Sequence, residues 1–209
     1  MAASTAIPQS ARAAWTVDRR FAGVALFVLA AEFMTAIMLA ASMAPGYDIG
    51  GGAISDLGVI AETAVLFNAS LVAVGLLNLV AGYLLFRSSG SRWILALFGL
   101  AGIAAAGAGL VPLDRGDLHG LFALGAFLFF NLEAIACASI VRGPMRAISV
   151  LAGVVGLAFV VLMIIGDAAT AAAFGPIGHG ATERMIVYPP MLWMLAFGGY
   201  LMAERQTVD

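Results

Sequence analysis

The sequence predicts an all-α integral membrane protein, a bundle of six transmembrane helices. Composition, the length of the apolar segments and the placement of arginine each support this fold class. The chain has 209 residues, 63% of them hydrophobic and only 11% charged, whereas soluble domains carry about 25% charged residues. Most of the surface is therefore expected to contact membrane lipids. The net charge of −2 gives no indication of a nucleic-acid partner.

The apolar residues form six blocks that are each close to the length needed to cross a ~30 Å hydrocarbon core. The blocks cover residues 21–43, 64–85, 93–111, 118–140, 147–165 and 185–202. Each block is expected to be a helix, because backbone groups in lipid must be hydrogen-bonded within their own segment. Segments 1–20 and 204–209 are expected to be cytoplasmic tails around a transmembrane domain at 21–203. The first block exceeds the 7–15 residues of a signal-peptide core, which favours a retained helix over a cleaved signal.

Arginine placement predicts the orientation of the bundle. Two arginines, Arg115 and Arg184, fall on one side of the six-helix layout. Eight fall on the other side: Arg12, Arg19, Arg20, Arg87, Arg92, Arg142, Arg146 and Arg205. Positively charged loops stay in the cytoplasm. We therefore expect both termini to be cytoplasmic, in the cytoplasmic membrane of a prokaryote.

The arginine-poor side carries the most varied loop chemistry. Its segments contain both histidines and seven acids: His119, His179, Asp48, Asp56, Glu62, Asp114, Asp117, Asp167 and Glu183. The N-termini of helices 2, 4 and 6 open on this side, and such ends attract anions, for example a phosphate headgroup. The candidate ligand-binding residues are Ser55, Glu183, Arg184 and Tyr188. Asp56 and His119 are candidate general bases, and Arg184 is the candidate anion stabiliser.

Structural interpretations stand beside these functional ones. Asp117 and Thr182 are typical helix caps, and His119 fits an interfacial histidine bonded to a loop carbonyl. Arg184 is expected to be partly desolvated and to pair with Asp56 or Asp114. The run Gly178-His179-Gly180 is expected to be flexible and solvated. Pro189 and Pro190 are expected to interrupt helix 6 and free nearby carbonyls.

Two acids, Glu32 and Glu133, lie within predicted spans. A charge at that depth is costly and marks a functional hypothesis, here a proton or ion pathway. The alternative is that both are protonated and hydrogen-bonded between helices, with Asn68, Asn78 and Asn131 as candidate partners. The small residues from Ala101 to Gly109 are expected to allow close helix packing.

The sequence contains no phosphate-binding loop, no His-Glu-x-x-His, no Gly-x-Ser-x-Gly and no paired cysteines. No spacing of histidines and acids is specific for a metal, so no metal or cofactor is assigned. Cys137 is the single cysteine, which excludes an intramolecular disulfide.

Several motifs together resemble a bacterial and archaeal membrane family known as domain of unknown function 998. The run Ile54-Ser55-Asp56-Leu57-Gly58, after Tyr47-Asp48, resembles that family's first outer loop. The run Phe67-Asn68-Ala69-Ser70-Leu71 is similar to its second-helix opening. The later signatures are similar to Pro112 with His119 and to Gly180-Ala181-Thr182-Glu183-Arg184-Met185 followed by Tyr188. The resemblance covers about residues 21–203 and implies the fold and a set of polar positions, without an activity.

Three hypotheses for function follow. The first is a polar pocket on the extracytoplasmic face that binds, and in an enzymatic version hydrolyses, a small polar or lipid-headgroup ligand. The second is a proton- or ion-coupled transporter that uses Glu32 and Glu133. The third is a non-catalytic membrane subunit in which the polar cluster locks helices 2, 4 and 6 together.

Overall fold

The structure, a computed structural model, describes residues 9–203, with side chains from residue 16 onward. It contains six long helices and, within that range, no strand. They are α1 (Gln9–Met43), α2 (Ala64–Ser89), α3 (Arg92–Leu110), α4 (Asp117–Cys137), α5 (Pro144–Ala168) and α6 (Gly178–Ala203). Short 3-10 helices occupy three loops, at Ile54–Gly58, Leu113–Arg115 and Ala171–Ile177.

All six helices are long and apolar enough to cross a membrane, with spans of 19 to 33 residues. The predicted fold class is therefore confirmed. Each helix packs on its neighbour in sequence, and α6 packs on α1, so the bundle forms a closed ring.

We call the end with the loops at 44–63, 111–116 and 169–177 the acidic face. The opposite end, with the loops at 90–91 and 138–143, is the arginine face. The side chain of Arg12 and the whole of Arg205 lie outside the described part of the chain.

Two helices start more than five residues before the apolar blocks that predict them. Helix α1 begins at Gln9, twelve residues before Phe21, and α6 begins at Gly178 rather than Met185. The expectation of a flexible run at 178–180 is wrong, because Thr182 Oγ1 donates to the Gly178 carbonyl over 2.9 Å in the first turn of α6. His179 is not simply solvated either. Its Nε2 lies 3.2 Å from Asp167 Oδ1, and its ring packs edge-on against Phe174.

Small residues let the helices approach closely, as the sequence predicts for Ala101 to Gly109. A Cβ added at Gly102 on α3 would lie 2.8 Å from the carbonyl oxygen of Gly75 on α2. Only glycine allows this backbone contact, which is the packing mode expected where lipid supplies no hydrophobic driving force.

The paired prolines of α6 free a carbonyl that another helix then uses. Pro190 has no N–H to donate to Ile186, four residues earlier. The side chain of Asn131 on α4 donates to that carbonyl over 3.2 Å and also to the Phe127 carbonyl over 2.7 Å. The freed carbonyl predicted from Pro189-Pro190 is therefore a link between α4 and α6. The predicted interruption of the helix is wrong, because α6 continues through both prolines to Ala203.

Candidate functional site

The 3-10 helix at Ile54–Gly58 organises the first loop of the acidic face, residues 44–63, which we call loop 1. Asp56 starts this helix by accepting a hydrogen bond from the Ala53 N–H over 2.9 Å, a capping interaction. Ile54 and Leu57 are 2% and 0% exposed and anchor the helix in the apolar core. The Ile-Ser-Asp-Leu-Gly motif therefore encodes two anchors and a cap.

Side chains of other helices hold both ends of this 3-10 helix. At its start, the buried carboxylate of Glu183 accepts from the Ile54 N–H over 2.5 Å and from the Ser55 hydroxyl over 3.2 Å. At its end, the Asn68 amide donates to the Gly58 carbonyl over 2.8 Å. Loop 1 is thus fixed to α6 at one point and to α2 at another.

Arg184, next to Glu183, binds the other half of loop 1. Its guanidinium donates to the carbonyls of Ile49 (2.9 Å) and Gly52 (3.2 Å) and to that of Gly180 in its own helix (2.9 Å). The expected pairing of Arg184 with Asp56 or Asp114 is wrong. Asp56 caps its own 3-10 helix, and Asp114 lies 4.0 Å from Arg115. Loop 1 offers Arg184 carbonyl oxygens instead of a carboxylate.

Tyr47 completes the contact between Arg184 and loop 1. Its hydroxyl accepts from Arg184 over 2.7 Å and donates to the Ala53 carbonyl over 2.6 Å. The guanidinium carbon also lies 5.7 Å from the Tyr47 ring centre, within cation–π distance. Burial raises the pKa of the Tyr47 hydroxyl, although the hydrogen bond from Arg184 acts in the opposite direction. The hydroxyl therefore keeps its proton, and its bond to Ala53, at neutral pH.

Gly180 allows loop 1 to lie directly on the start of α6. A Cβ at this position would overlap the carbonyl oxygen of Gly52 and lie 2.8 Å from that of Ile49. The Ala181 N–H then donates to the Gly50 carbonyl over 3.2 Å. The Gly-x-x-Glu-Arg motif is therefore one surface that receives loop 1.

His119 lies in the first turn of α4 and is 3% exposed. Its Nδ1 lies 2.7 Å from the Val111 carbonyl. A carbonyl can only accept, so Nδ1 carries a proton, and in the neutral ring Nε2 holds the lone pair. Within the described chain, the buried Nε2 has no hydrogen-bond partner. The structural interpretation of His119 explains one ring nitrogen and leaves the other available.

A cavity of about 600 Å³ opens between loop 1, α4, α5 and α6 on the acidic face. Its polar end brings together six ionisable or hydroxyl side chains, which are Ser55, Asp56, His119, Asp167, His179 and Glu183. Four of these are sequence candidates. The other two candidates, Arg184 and Tyr188, do not line it. Arg184 faces loop 1, and Tyr188 packs against the apolar core.

The rest of the cavity is an apolar wall that continues along α4 and α5. It is formed by Leu113, Gly120, Ala123, Leu124, Phe127, Met163, Ile164 and Ala168, with Ala53 from loop 1. Leu124 and Ile164 are 44% and 48% exposed, so this wall is open to the lipid side of the bundle. The cavity therefore combines a polar end with an apolar wall.

Sequence reasoning missed Asp167, His179 and the apolar wall as parts of this cavity. The available signal for the first two was that an acid ends helix 5 and a histidine begins helix 6 on the same face. No signal was available for the wall, because Leu124 and Ile164 look like any lipid-facing residue. Within the described chain, no three His, Cys, Asp or Glu side chains are grouped to hold a metal ion.

The two intramembrane acids lie away from this cavity. Glu133 is fully buried and accepts from the Asn78 amide over 2.7 Å, and the same amide donates to the Phe98 carbonyl over 3.0 Å. These bonds join α2, α3 and α4, as the structural alternative for Glu133 expects. Glu32 lies on α1 and is partly exposed.

The fold and these polar positions define a multi-pass membrane protein of six helices. The chain matches a family model described as "Protein of unknown function (DUF998)" over residues 21–200, and it belongs to that family. No curated protein and no solved structure gives a significant match.

Proposed function

We propose that this protein binds an amphiphile in the acidic-face cavity, with the polar headgroup beside His119 and loop 1 and the chain along α4 and α5. The observation that carries this proposal is the division of one cavity into a polar end, in which His119 and Glu183 are buried, and an open apolar wall. Ligand sites typically combine a mostly apolar lining with a few convergent polar groups. The volume of about 600 Å³ lies in the range of such sites.

Binding is favoured over hydrolysis by the positions of Arg184 and Ser55. An enzymatic version needs an anion stabiliser next to the reacting atoms. Arg184 instead donates to three carbonyls and to the Tyr47 hydroxyl and does not line the cavity. The Ser55 hydroxyl donates to Glu183 rather than to His119. These contacts give Glu183 and Arg184 the task of holding loop 1 as one edge of the site.

Photolabelling with matched glycine variants tests the binding proposal. A Cβ at Gly120, which lines the cavity, meets nothing within 4 Å, and the same is true of Gly99 on α3 away from the cavity. Gly120→Phe should place a ring in the cavity, while Gly99→Phe adds the same ring elsewhere. With a photoreactive fatty amine in nanodiscs, Gly120→Phe should lower the saturable labelling at least five-fold and Gly99→Phe should leave it unchanged. Equal labelling of both variants would contradict the proposal.

We also propose that the acidic face is extracytoplasmic, with both termini inside. The support is the excess of arginine at the other end of the bundle. In a Cys137→Ala background, an impermeant thiol reagent should label Arg115→Cys in intact cells. It should label Ser139→Cys, an exposed position of the arginine face, only after lysis. Labelling of Ser139→Cys from outside would reverse the orientation.

A further inference from the structure

The polar end of the acidic-face cavity presents hydrogen-bond acceptors, because its side-chain donors on Ser55 and His179 are already used. Resting on the binding function proposed above, we propose that the ligand's headgroup is a primary ammonium, a cation with three N–H donors. The same end would receive a phosphate or sulfate poorly. This specifies the ligand class as a cationic amphiphile and reverses the anionic headgroup expected from the helix N-termini.

His119 supplies the first argument. Because its Nδ1–H is committed to Val111, the neutral ring presents Nε2 as a buried acceptor without a partner. A buried polar atom without a hydrogen bond is costly, and a donor on the ligand removes that cost. A phosphate oxygen, which is itself an acceptor at neutral pH, would face the lone pair unfavourably.

The carboxylates supply the second argument, which is independent of His119. Asp56, Asp167 and Glu183 all line the cavity, and no arginine does. The side-chain donors among the polar lining residues are already used, since Ser55 donates to Glu183 and His179 to Asp167. Acidic groups in a partly desolvated cleft attract a cation and repel an anion. A sugar headgroup could donate hydrogen bonds to these acceptors, but it would not neutralise the negative charge of the carboxylates.

A headgroup series with one chain length tests this inference on the full protein in phosphatidylcholine nanodiscs. The probes are dodecylamine, dodecyltrimethylammonium, dodecyl phosphate and dodecyl glucoside, each titrated in competition with the photoreactive amine. Dodecylamine should bind at least ten-fold more tightly than dodecyl phosphate. The trimethyl compound should be weaker than dodecylamine, because it keeps the charge and has no N–H donors.

Two variants assign the effect to the named groups. His119→Leu should weaken dodecylamine about ten-fold, corresponding to 1.4 kcal/mol, and leave dodecyltrimethylammonium, which has no N–H to donate to Nε2, less affected. Asp167 is half-exposed, so its replacement should affect stability little. Asp167→Asn should weaken binding of the two ammonium compounds and strengthen binding of dodecyl phosphate. A melting curve of each variant checks that the fold is retained.

The outcomes separate this inference from the binding function. Tighter binding of dodecyl phosphate or of the glucoside than of dodecylamine would overturn the ammonium assignment and leave an amphiphile site in place. Labelling that no probe displaces, and that Gly120→Phe does not reduce, would overturn both. Equal affinity of dodecylamine for wild type, His119→Leu and Asp167→Asn would also overturn the assignment.

Discussion

Replacing Arg184 with alanine is expected to release half of loop 1 and to destabilise the protein by about 3 kcal/mol. The guanidinium donates to the carbonyls of Ile49, Gly52 and Gly180 and to the Tyr47 hydroxyl, and it is only 7% exposed. Removing it takes a donor from four oxygen atoms, of which the Gly52 carbonyl still lies 3.1 Å from the Tyr47 hydroxyl. The melting temperature in detergent should fall, and limited proteolysis should cut within 44–53.

Two further variants show whether Arg184 acts through these carbonyls or through an acid. Arg184→Lys should recover only part of the stability, because an ammonium cannot reach the same spread of acceptors as the planar guanidinium. Asp56→Ala should cost only about 1 kcal/mol, the value of a lost cap. If Asp56→Ala and Arg184→Ala cost equally and their double variant cost no more than either, the two would form an ion pair and the assignment would be wrong.

Alanine at Gly180 is expected to be the most damaging conservative change in the acidic face. The added Cβ would overlap the Gly52 carbonyl oxygen, so loop 1 would have to lift from α6 and lose bonds to Glu183 and Arg184. We expect a loss of about 3 kcal/mol, at the upper end of the cost of overpacking, because the opposing atom belongs to the backbone.

Gly120→Ala is the matched control, since both glycines lie in the first turns of helices on the same face. A Cβ at Gly120 meets open space, and alanine is the better helix former by about 1 kcal/mol. Thermal melting should therefore show a lower midpoint for Gly180→Ala and an unchanged or higher one for Gly120→Ala. Equal midpoints for Gly180→Ala and wild type would show that loop 1 does not rest on this glycine.

The fold was predictable because a segment that crosses the bilayer must be a long apolar block. In addition, successive loops are alternately rich and poor in arginine, as expected when they lie on alternate sides of the membrane. The polar residues of the acidic face could also be identified from the sequence, since loop 1 and the start of α6 contain charged and hydroxyl side chains between apolar blocks. Their hydrogen-bond partners could not be identified. Arg184 was expected to pair with a carboxylate, yet a glycine-rich loop can bring its backbone carbonyls to a guanidinium as easily. Every residue has such a carbonyl, so the sequence does not show which ones will accept from Arg184.

The start of α6 was mispredicted for a related reason. Gly178 and Gly180 look like flexible loop residues in isolation, and their small size is in fact required by the backbone of loop 1 packed on them. For Glu133 the kind of partner was predictable from the sequence, but the particular residue was not. Its asparagine partner Asn78 was one of three candidates, and only the folded bundle, in which α2 and α4 both pack on α3, shows that Asn78 reaches Glu133.

The position of the photolabel on the wild-type protein tests the central claim most directly. A fatty amine with the photoreactive group in mid-chain, crosslinked in nanodiscs and mapped by peptide mass spectrometry, should label the apolar wall at Leu124, Phe127, Met163 and Ile164. Unlabelled dodecylamine should compete this labelling away. Labelling spread over lipid-facing residues outside the cavity, such as Leu151 and Val161, without saturation or competition would contradict an amphiphile site on the acidic face.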